Sequence, residues 1–180
     1  LMNRRIDVDT KLSIFSTYIV GLMKKKQELN RVDSLFAEML EQYPQEEPVH
    51  RLFGMYLSSR KDFSRAEEQY VIAADLAPTN PENWLQLIGL YLYQEKYAEV
   101  IRVGKRAIQY VPDQKDIYMY VAVASAQTKS YDEALSMLET GLNYVEENDA
   151  GTKSFFYGQM GDVYHSAGDK EKSYEMYEKA

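Results

Sequence analysis

Few side chains in this chain could carry acid–base or metal chemistry. Histidine occurs at two positions, His50 and His165, and cysteine is absent. The paired carboxylates Glu67-Glu68 and Glu146-Glu147 are adjacent in sequence, so on a helix they do not face each other. The HExxH and CxxC metal motifs, a Gly-rich phosphate loop and a G-x-S-x-G elbow do not occur in the sequence. We therefore expect no enzymatic activity, no metal site and no cofactor in this segment.

Both histidines have simpler interpretations than catalysis. His50, Trp84 and Tyr118 follow one another at equal spacing along the chain. We interpret His50 as a packing residue in a slot that aromatic residues fill elsewhere. His165 follows Asp162 by one helical turn, so the two are neighbours on a helix surface. We expect His165 to lie on the surface or in a groove.

The charge balance excludes one class of partner and leaves others open. The net charge is −7, and no stripe of Lys and Arg emerges, so we expect no nucleic-acid binding. The basic run Lys24-Lys25-Lys26 is interpreted as a solvated helix end. The apolar run Leu12–Met23 is shorter than the roughly 20 residues that span a bilayer, so we expect no membrane insertion by this segment. The sequence does not define the compartment: a soluble cytoplasmic protein and a soluble periplasmic protein are both compatible with it.

The elements that position these residues repeat with a period of about 34 residues, which marks an array of repeats rather than one globular core. Similar segments span 13–46, 47–80, 81–114 and 115–148, a truncated fifth spans 154–180, and 149–153 is an insertion. We interpret Glu146–Gly151 as a loop, because acid at a helix C-terminus is unfavourable and a glycine follows. The alternative is a second helix, Asp132 to Glu147, that runs longer.

Each repeat predicts two helices. Apolar residues recur at three- and four-residue spacing over two stretches of about a dozen residues, as in amphipathic helices. Pro44, Pro78 and Pro112 follow the second helix, where a helix must already have ended. Pro48 and Pro81 open the next one, where a missing N–H is harmless. No alternating strand pattern is present, so the predicted fold class is all-α.

These repeats resemble the tetratricopeptide repeat (TPR), a helix–turn–helix unit. The resemblance extends over about Ser13 to Ala180, with a degenerate first copy. It implies a right-handed α-solenoid of antiparallel helix pairs with about five repeats. The copy from Pro81 matches at Trp84, Leu87, Tyr91, Tyr97, Ala107 and Pro112. The copy from Glu47 matches at Phe53-Gly54, Leu57, Phe63, Ala66, Tyr70, Ala73 and Pro78.

Small and large residues alternate between the two helices of a repeat, with one exception. Gly54, Ala122 and Gly161 occupy the small slot, and Tyr70, Leu138 and Tyr177 the large one. The repeat at 81–114 carries Ile88 in the small slot and Gly104 in the large slot. We interpret this as a volume-conserving swap at one contact layer. Gly104→Leu is then expected to overpack the core.

The resemblance also implies a concave groove lined by the first helix of each repeat. The positions that hold a peptide carboxylate in chaperone-binding TPR proteins carry Arg51/Met55, Leu85/Gly89 and Met119/Val123 here, so the Lys and Asn clamp is absent. We expect the middle of the groove to be apolar, small and sulfur-bearing. The inward-facing candidates are Thr17, Gly21, Arg51, Met55, Leu85, Gly89, Leu92, Tyr93, Met119, Val123, Gln127, Gly158, Asp162 and His165.

The function expected from this fold is a protein–protein interaction scaffold that binds a peptide or a partner helix in the groove. Two alternatives remain open: a self-assembly module that forms a homo-oligomer, and the regulatory or substrate-recruiting repeat region of a longer enzyme. The groove residues could also be covered by flanking repeats. The chain begins with Leu and stops inside a predicted second helix, so we expect a fragment of a larger protein.

Overall fold

The computed structural model describes residues 8–25 and 29–180, and this part of the chain contains helices and turns without a strand. Lys26, the last residue of the basic run, lies outside the described residues. The bounds of the ten described helices are α1 Val8–Lys25, α2 Leu29–Gln42, α3 Glu47–Ser59, α4 Phe63–Leu76, α5 Pro81–Tyr93, α6 Tyr97–Ile108, α7 Lys115–Gln127, α8 Tyr131–Leu142, α9 Ala150–Ala167 and α10 Lys170–Lys179.

Helix starts reproduce the spacing of the sequence. The first helices α3, α5 and α7 begin at residues 47, 81 and 115, and the second helices α4, α6 and α8 begin at 63, 97 and 131. Pro48 and Pro81 lie in the first turns of α3 and α5, where proline removes no helical hydrogen bond. The first pair departs from the period, because α1 begins at Val8, ahead of the expected Ser13.

The turns within the last four helix pairs share one backbone conformation. Lys61, Glu95 and Lys129 have φ values of 62°, 55° and 62°, and Gly168 has a φ of 87°. They are the residues that follow the C-terminal end of the first helix, at matching positions of their repeats. A left-handed residue there reverses the chain after the helix, which lets the second helix pack back on the first. In three of these four turns a residue with a side chain adopts the conformation that glycine favours.

The insertion is helical, which corrects the expected loop. The helix α8 ends at Leu142, and α9 already begins at Ala150, so Ala150 and Gly151 belong to its first turn. The carboxylate of Asp149 caps this helix, since its Oδ1 accepts a hydrogen bond of 3.0 Å from the backbone N–H of Thr152. The loop interpretation holds for Glu146-Glu147, which lie between the helices. Beyond them, the cap outweighs the weak helix propensity of Gly151.

The helices fall into two compact units, residues 1–77 and 78–180. In the first unit an aromatic cluster forms the core. The ring of Phe36 stacks on Phe53 at 4.4 Å between centroids and meets Phe15 edge-on at 4.7 Å. A Cβ at Gly54 would lie 2.6 Å from the ring of Tyr70. This close approach confirms the expected pairing of a small slot on α3 with a large residue on α4.

The second unit contains α5 to α10, and its core repeats the small–large rule with one correction. Ala122, Ala134, Leu138, Phe156 and Met160 are buried together. Gly161 gives room to Tyr177, whose ring carbon would lie 2.4 Å from a Cβ there. The atom closest to a Cβ at Gly104 belongs to Val121 of α7, and not to Ile88, which the volume-swap interpretation expects as its counterpart. A Cβ at Gly104 would lie 2.2 Å from Cγ2 of Val121, so this glycine lets α6 approach α7 of the next repeat.

A side-chain contact ties each of the repeats 47–80, 81–114 and 115–148 to the proline that precedes it. The indole N–H of Trp84 donates to the carbonyl of Pro78 at 2.6 Å, and the hydroxyl of Tyr118 donates to the carbonyl of Pro112 at 2.9 Å. In the first unit, Nε2 of His50 lies 3.1 Å from the carbonyl of Pro44, which can only accept. His50 is buried, which confirms it as a packing residue. The slot selects an N–H or O–H donor on an aromatic ring.

Candidate peptide-binding groove

The first helices of the second unit share one face. The helix α7 lies against both α5 and α9, whereas no Cα atoms of the second helices α6 and α8 come within 8 Å of each other among the described residues. Helices that approach on one side and separate on the other curve the unit toward the close side. Within residues 78–180, α5, α7 and α9 therefore line the inner face.

The accessible positions of these three helices form what we call the inner stripe. On α7 they recur at three- and four-residue spacing, as one helix face requires. The matching positions on α5 lie one 34-residue period before those on α7. The matching positions on α9 lie one period after them, increased by the five residues of the insertion 149–153. The inner stripe comprises Glu82, Gln86, Gly89 and Tyr93 on α5; Asp116, Tyr120, Val123 and Gln127 on α7; and Phe155, Gln159, Asp162 and Ser166 on α9, all exposed or half-buried.

On α5 the structure places the predicted groove residues on or beside the inner stripe. Tyr93 is 68% exposed. Gly89 is also exposed, and a Cβ there would meet nothing within 4 Å, so its backbone faces open space. Leu85 and Leu92 are half-buried along the edge of the stripe. This helix therefore offers an aromatic ring next to an accessible stretch of backbone.

On α7 the prediction missed the accessible face by one residue. Met119 is 6% exposed and packs in the core with Ala122 and Met160, so it is not accessible to a ligand. The accessible neighbour is Tyr120, which sequence reasoning overlooked. One residue turns a helix by about 100°, which is enough to exchange a core position for a surface one.

Three predicted residues from two helices meet at one pocket. Val123, Gln127 and Asp162 line a cavity of about 160 Å³ between α7 and α9. Apolar side chains form its floor, and polar ones surround its mouth. The floor consists of Ala122, Ala126, Leu138 and Val163, and the mouth of Gln127, Gln159, Asp162 and Ser166.

The carboxylate at this mouth is held by hydrogen bonds. Oδ1 of Asp162 accepts from the hydroxyl of Tyr177 at 2.7 Å, and Oδ2 accepts from the amide of Gln159 at 3.4 Å. The bond to Asp162 raises the pKa of the Tyr177 hydroxyl, because the phenolate could not donate it. Tyr177 is itself fixed against Gly161. The position of the Asp162 carboxylate therefore depends on packing of α10 against α9.

The inner stripe is acidic and aromatic. It carries the carboxylates Glu82, Asp116 and Asp162 and no Lys or Arg at its twelve positions. Its rings are Tyr93, Tyr120 and Phe155, of which Phe155 is 58% exposed. This composition replaces the expected apolar, small and sulfur-bearing surface in the second unit. Like charges on one concave face create a negative potential that attracts cations.

Comparison with known proteins identifies the fold. No protein-family model and no curated protein sequence matches the chain. Among solved structures, a MamA protein superposes with a TM-score of 0.73 at 15% identity and covers 93% of this chain and 88% of its own. A MamA segment from Desulfovibrio magneticus RS-1 gives a TM-score of 0.70 at 11% identity, with coverage of 94% and 92%. YrrB, described as a TPR protein with an unusual peptide-binding site, gives 0.68 at 17% identity, with coverage of 92% and 82%.

The chain has the tetratricopeptide repeat fold. This confirms the all-α solenoid of helix pairs that the period and the matched residues predicted. At 11–17% identity the neighbours show the architecture alone. The chemistry of the inner stripe is therefore read from this chain's own side chains.

The predicted groove residues of the first unit lie on α1 and α3. Met55 is 42% exposed on α3. Nε of Arg51 forms an ion pair of 2.9 Å with Glu47 one turn earlier. A guanidinium with a carboxylate neighbour has less positive potential to offer a peptide carboxylate. On α1, the hydroxyl of Thr17 donates to the carbonyl of Ser13 at 2.9 Å, and a Cβ at Gly21 would meet nothing within 4 Å. Arg51 is the one basic residue at the clamp positions, and its ion pair with Glu47 makes it a weaker site for a peptide carboxylate.

His165 is exposed in the last turn of α9 and borders a cavity of about 340 Å³ with Lys170, Ser173, Tyr174 and Tyr177. Among the described residues, no three His, Asp or Glu side chains are grouped so that they could hold a metal ion. Within the same ranges, no helix combines the length and apolar character needed to cross a membrane.

Proposed function

We propose that this chain is a protein-interaction scaffold that binds an extended peptide or a partner helix along the inner stripe of α5, α7 and α9. The observation that carries this proposal is the stripe itself: three adjacent helices turn exposed rings and carboxylates to one concave face. Large exposed aromatic side chains on a soluble surface are typical of interaction sites. The chaperone-type carboxylate clamp is missing, so binding of a peptide through its C-terminal carboxylate is not proposed.

Tyr93 is the residue best suited to test the proposal. It is 68% exposed at the end of α5, next to the accessible backbone of Gly89. Tyrosine supplies a large contact area with few rotatable bonds and is frequent among residues that dominate binding energy. Peptides selected from a random display library on the wild-type protein should therefore bind a Tyr93→Ala variant about tenfold more weakly or worse, measured by fluorescence anisotropy.

A matched control is available on the last helix. Tyr174 on α10 is 70% exposed and lies outside the inner stripe, so Tyr174→Ala removes an equally exposed ring. The selected peptides should bind this variant as they bind the wild type. Equal losses for both variants, or none for either, would count against the stripe as the binding surface.

Gly89 gives a second test that separates binding from folding. Alanine in the middle of α5 has open space around its Cβ, so Gly89→Ala should raise stability by about 0.5–1 kcal/mol. If the ligand backbone passes close to Gly89, the same change should lower affinity. A stabilised variant with unchanged peptide affinity would show that the ligand backbone does not pass close to Gly89.

Self-assembly remains the alternative within this fold. Light scattering of the purified chain across concentrations distinguishes a homo-oligomer from a monomeric scaffold. If the protein associates, and Tyr93→Ala but not Tyr174→Ala returns it to a monomer, a second copy occupies the stripe. The other alternative, a recruiting region of a longer enzyme, uses the same surface and the same peptide assay.

A further inference from the structure

We propose that the cavity between α7 and α9 is a subsite for a lysine or arginine side chain of the bound peptide, with the Asp162 carboxylate as its anionic partner. This inference rests on the proposed function and names the chemistry of its ligand. It commits to one occupant, a basic side chain carried by an extended peptide.

The size of the cavity fits one side chain. Its volume is about 160 Å³, whereas pockets for small-molecule ligands usually hold roughly 300–1,000 Å³. The cavity is also open to the inner stripe, because Gln127 and Asp162 at its mouth belong to that stripe. A peptide lying on the stripe can therefore place one side chain in it.

The lining has two parts that match the two parts of a basic side chain. Ala122, Ala126, Leu138 and Val163 offer an apolar floor. Lysine and arginine bury their methylene stems along such surfaces while the charged head stays with polar groups. An aliphatic or aromatic side chain would use the floor but bring no positive charge to the Asp162 carboxylate at the mouth.

Asp162 has acceptor capacity left for a cation. Its carboxylate receives one strong hydrogen bond from Tyr177 and one long bond of 3.4 Å from Gln159. Two carboxylate oxygens can together accept about four hydrogen bonds. Among the described residues, no Lys, Arg or His forms an ion pair with Asp162. The carboxylate is held in place by neutral donors, so an incoming ammonium or guanidinium would supply its first positive charge.

The rest of the inner stripe favours the same occupant. Glu82 and Asp116 lie on the neighbouring helices, and the stripe carries no cation. A basic peptide is attracted along the whole face, whereas an acidic one is repelled. Charge complementarity, and not the apolar floor alone, therefore selects the ligand.

The test uses random dodecapeptides displayed on phage and selected on the full chain and on an Asp162→Asn variant. Asparagine keeps an oxygen that can accept from Tyr177 but removes the charge. Peptides selected on the wild type should carry Lys or Arg at one fixed position, and this preference should disappear on the variant. Synthetic peptides with Lys or Arg at that position should lose about tenfold or more in affinity for Asp162→Asn, as a charge-assisted hydrogen bond requires. The same peptides with norleucine there should bind both proteins equally.

Controls separate this subsite from the general field. Glu139 on α8 is exposed outside the stripe, so Glu139→Gln removes the same charge and should leave affinity within about twofold. Tyr177→Phe removes the hydroxyl that positions Asp162 and should cause a smaller loss than Asp162→Asn. An Asp162→Lys variant should recover binding when the basic position of the peptide is changed to Glu.

The outcomes distinguish the two proposals. If selected peptides bind through Tyr93 but show no basic position, or bind Asp162→Asn as well as the wild type, the subsite is wrong and the scaffold stands. If Glu139→Gln weakens binding as much as Asp162→Asn, the loss of affinity comes from the change in net charge of the protein, and the subsite is again overturned. If no peptide is selected on the wild type, both proposals fail.

Discussion

Gly104→Ala is expected to destabilise the second unit, although alanine is the better helix former. A Cβ at this position of α6 would lie 2.2 Å from Cγ2 of Val121 on α7. Unstrained carbon contacts lie at about 3.5–4.0 Å, so one of the two helices must move. Val121 has no exposed surface and is β-branched, which leaves it one preferred rotamer in a helix. The side chain cannot swing away, and the backbone must shift.

Two opposing terms set the magnitude. Replacing glycine by alanine in a helix interior gains about 0.8–1 kcal/mol. Overpacking a closely packed contact costs about 1–3 kcal/mol, and the stiff Val121 side chain places this case in the upper half of that range. The net expectation is a loss of about 1–2 kcal/mol. Gly104→Leu should lose more, because it adds three further carbons at the same contact.

Gly158→Ala is the matched control. Gly158 also lies inside a helix of the second unit, and a Cβ there would meet nothing within 4 Å. It should gain about 0.5–1 kcal/mol. Because repeat arrays do not always unfold in one step, amide hydrogen exchange of α6 and α7 should accompany urea unfolding followed by circular dichroism. A Gly104→Ala variant that gains as much as Gly158→Ala would refute the close approach of α6 and α7.

A double-mutant cycle then assigns the loss to one contact. Val121→Ala alone should lose about 1.5–3 kcal/mol, from the removed methyl groups and the remaining cavity. In the Gly104→Ala background it should cost less, because the new methyl group occupies part of that cavity. A coupling energy of about 1–2 kcal/mol is expected. Strictly additive effects would place the strain elsewhere.

Two further predictions concern the repeat scaffold. Tyr118→Phe removes the hydrogen bond to the Pro112 carbonyl and should lose about 0.5–1.5 kcal/mol, whereas Tyr120→Phe on the same helix should be near neutral. Burial raises the pKa of Tyr118 to about 12. Its contribution to stability is therefore complete below about pH 10 and is lost as the pH rises through 12, and absorbance at 295 nm should show a late phase that Tyr118→Phe lacks. At acid pH, hydrogen bonds from Thr152 hold the pKa of the Asp149 cap below its usual range. This stabilisation is present above about pH 4 and is lost as the pH falls further. The difference in melting temperature between wild type and Asp149→Ala should therefore shrink from pH 7 to pH 3, and a constant difference would contradict a charged cap.

The helix pairs of the fold could be predicted from the sequence because several local signals agree. Proline positions, polar breaks and apolar spacing all place helix starts at 47, 81 and 115, where the structure has them. At the insertion the local signals conflict. Gly151 favours a turn, whereas Asp149 just ahead of Thr152 favours a helix start. The cap prevails, since it satisfies a backbone N–H of α9.

The groove could be predicted only in part, for a reason of geometry. The sequence predicts Val123 and Gln127 on one helix and Asp162 on another, but their meeting at one cavity depends on how α7 packs against α9. Met119 was placed on the wrong side because both it and Tyr120 lie at the border between the buried and exposed faces of α7. Sequence periodicity defines a helix face to within about one residue. Met119 and Tyr120 are neighbours in sequence, so periodicity alone does not decide which of them is exposed.

The inner stripe is the part of the second unit in which equivalent positions differ most in chemistry. Core positions such as Ala122 and Ala134 must fit the volume left by the neighbouring helix. Positions 89, 123 and 162 occupy equivalent places on the inner stripe but hold Gly, Val and Asp. A carboxylate fixed by a tyrosine from α10, at the mouth of an apolar cavity, is not required for packing of α7 against α9. The same hydrogen bond joins α10 to α9, and the Asp162→Asn selection separates this structural role from the proposed role in binding a ligand.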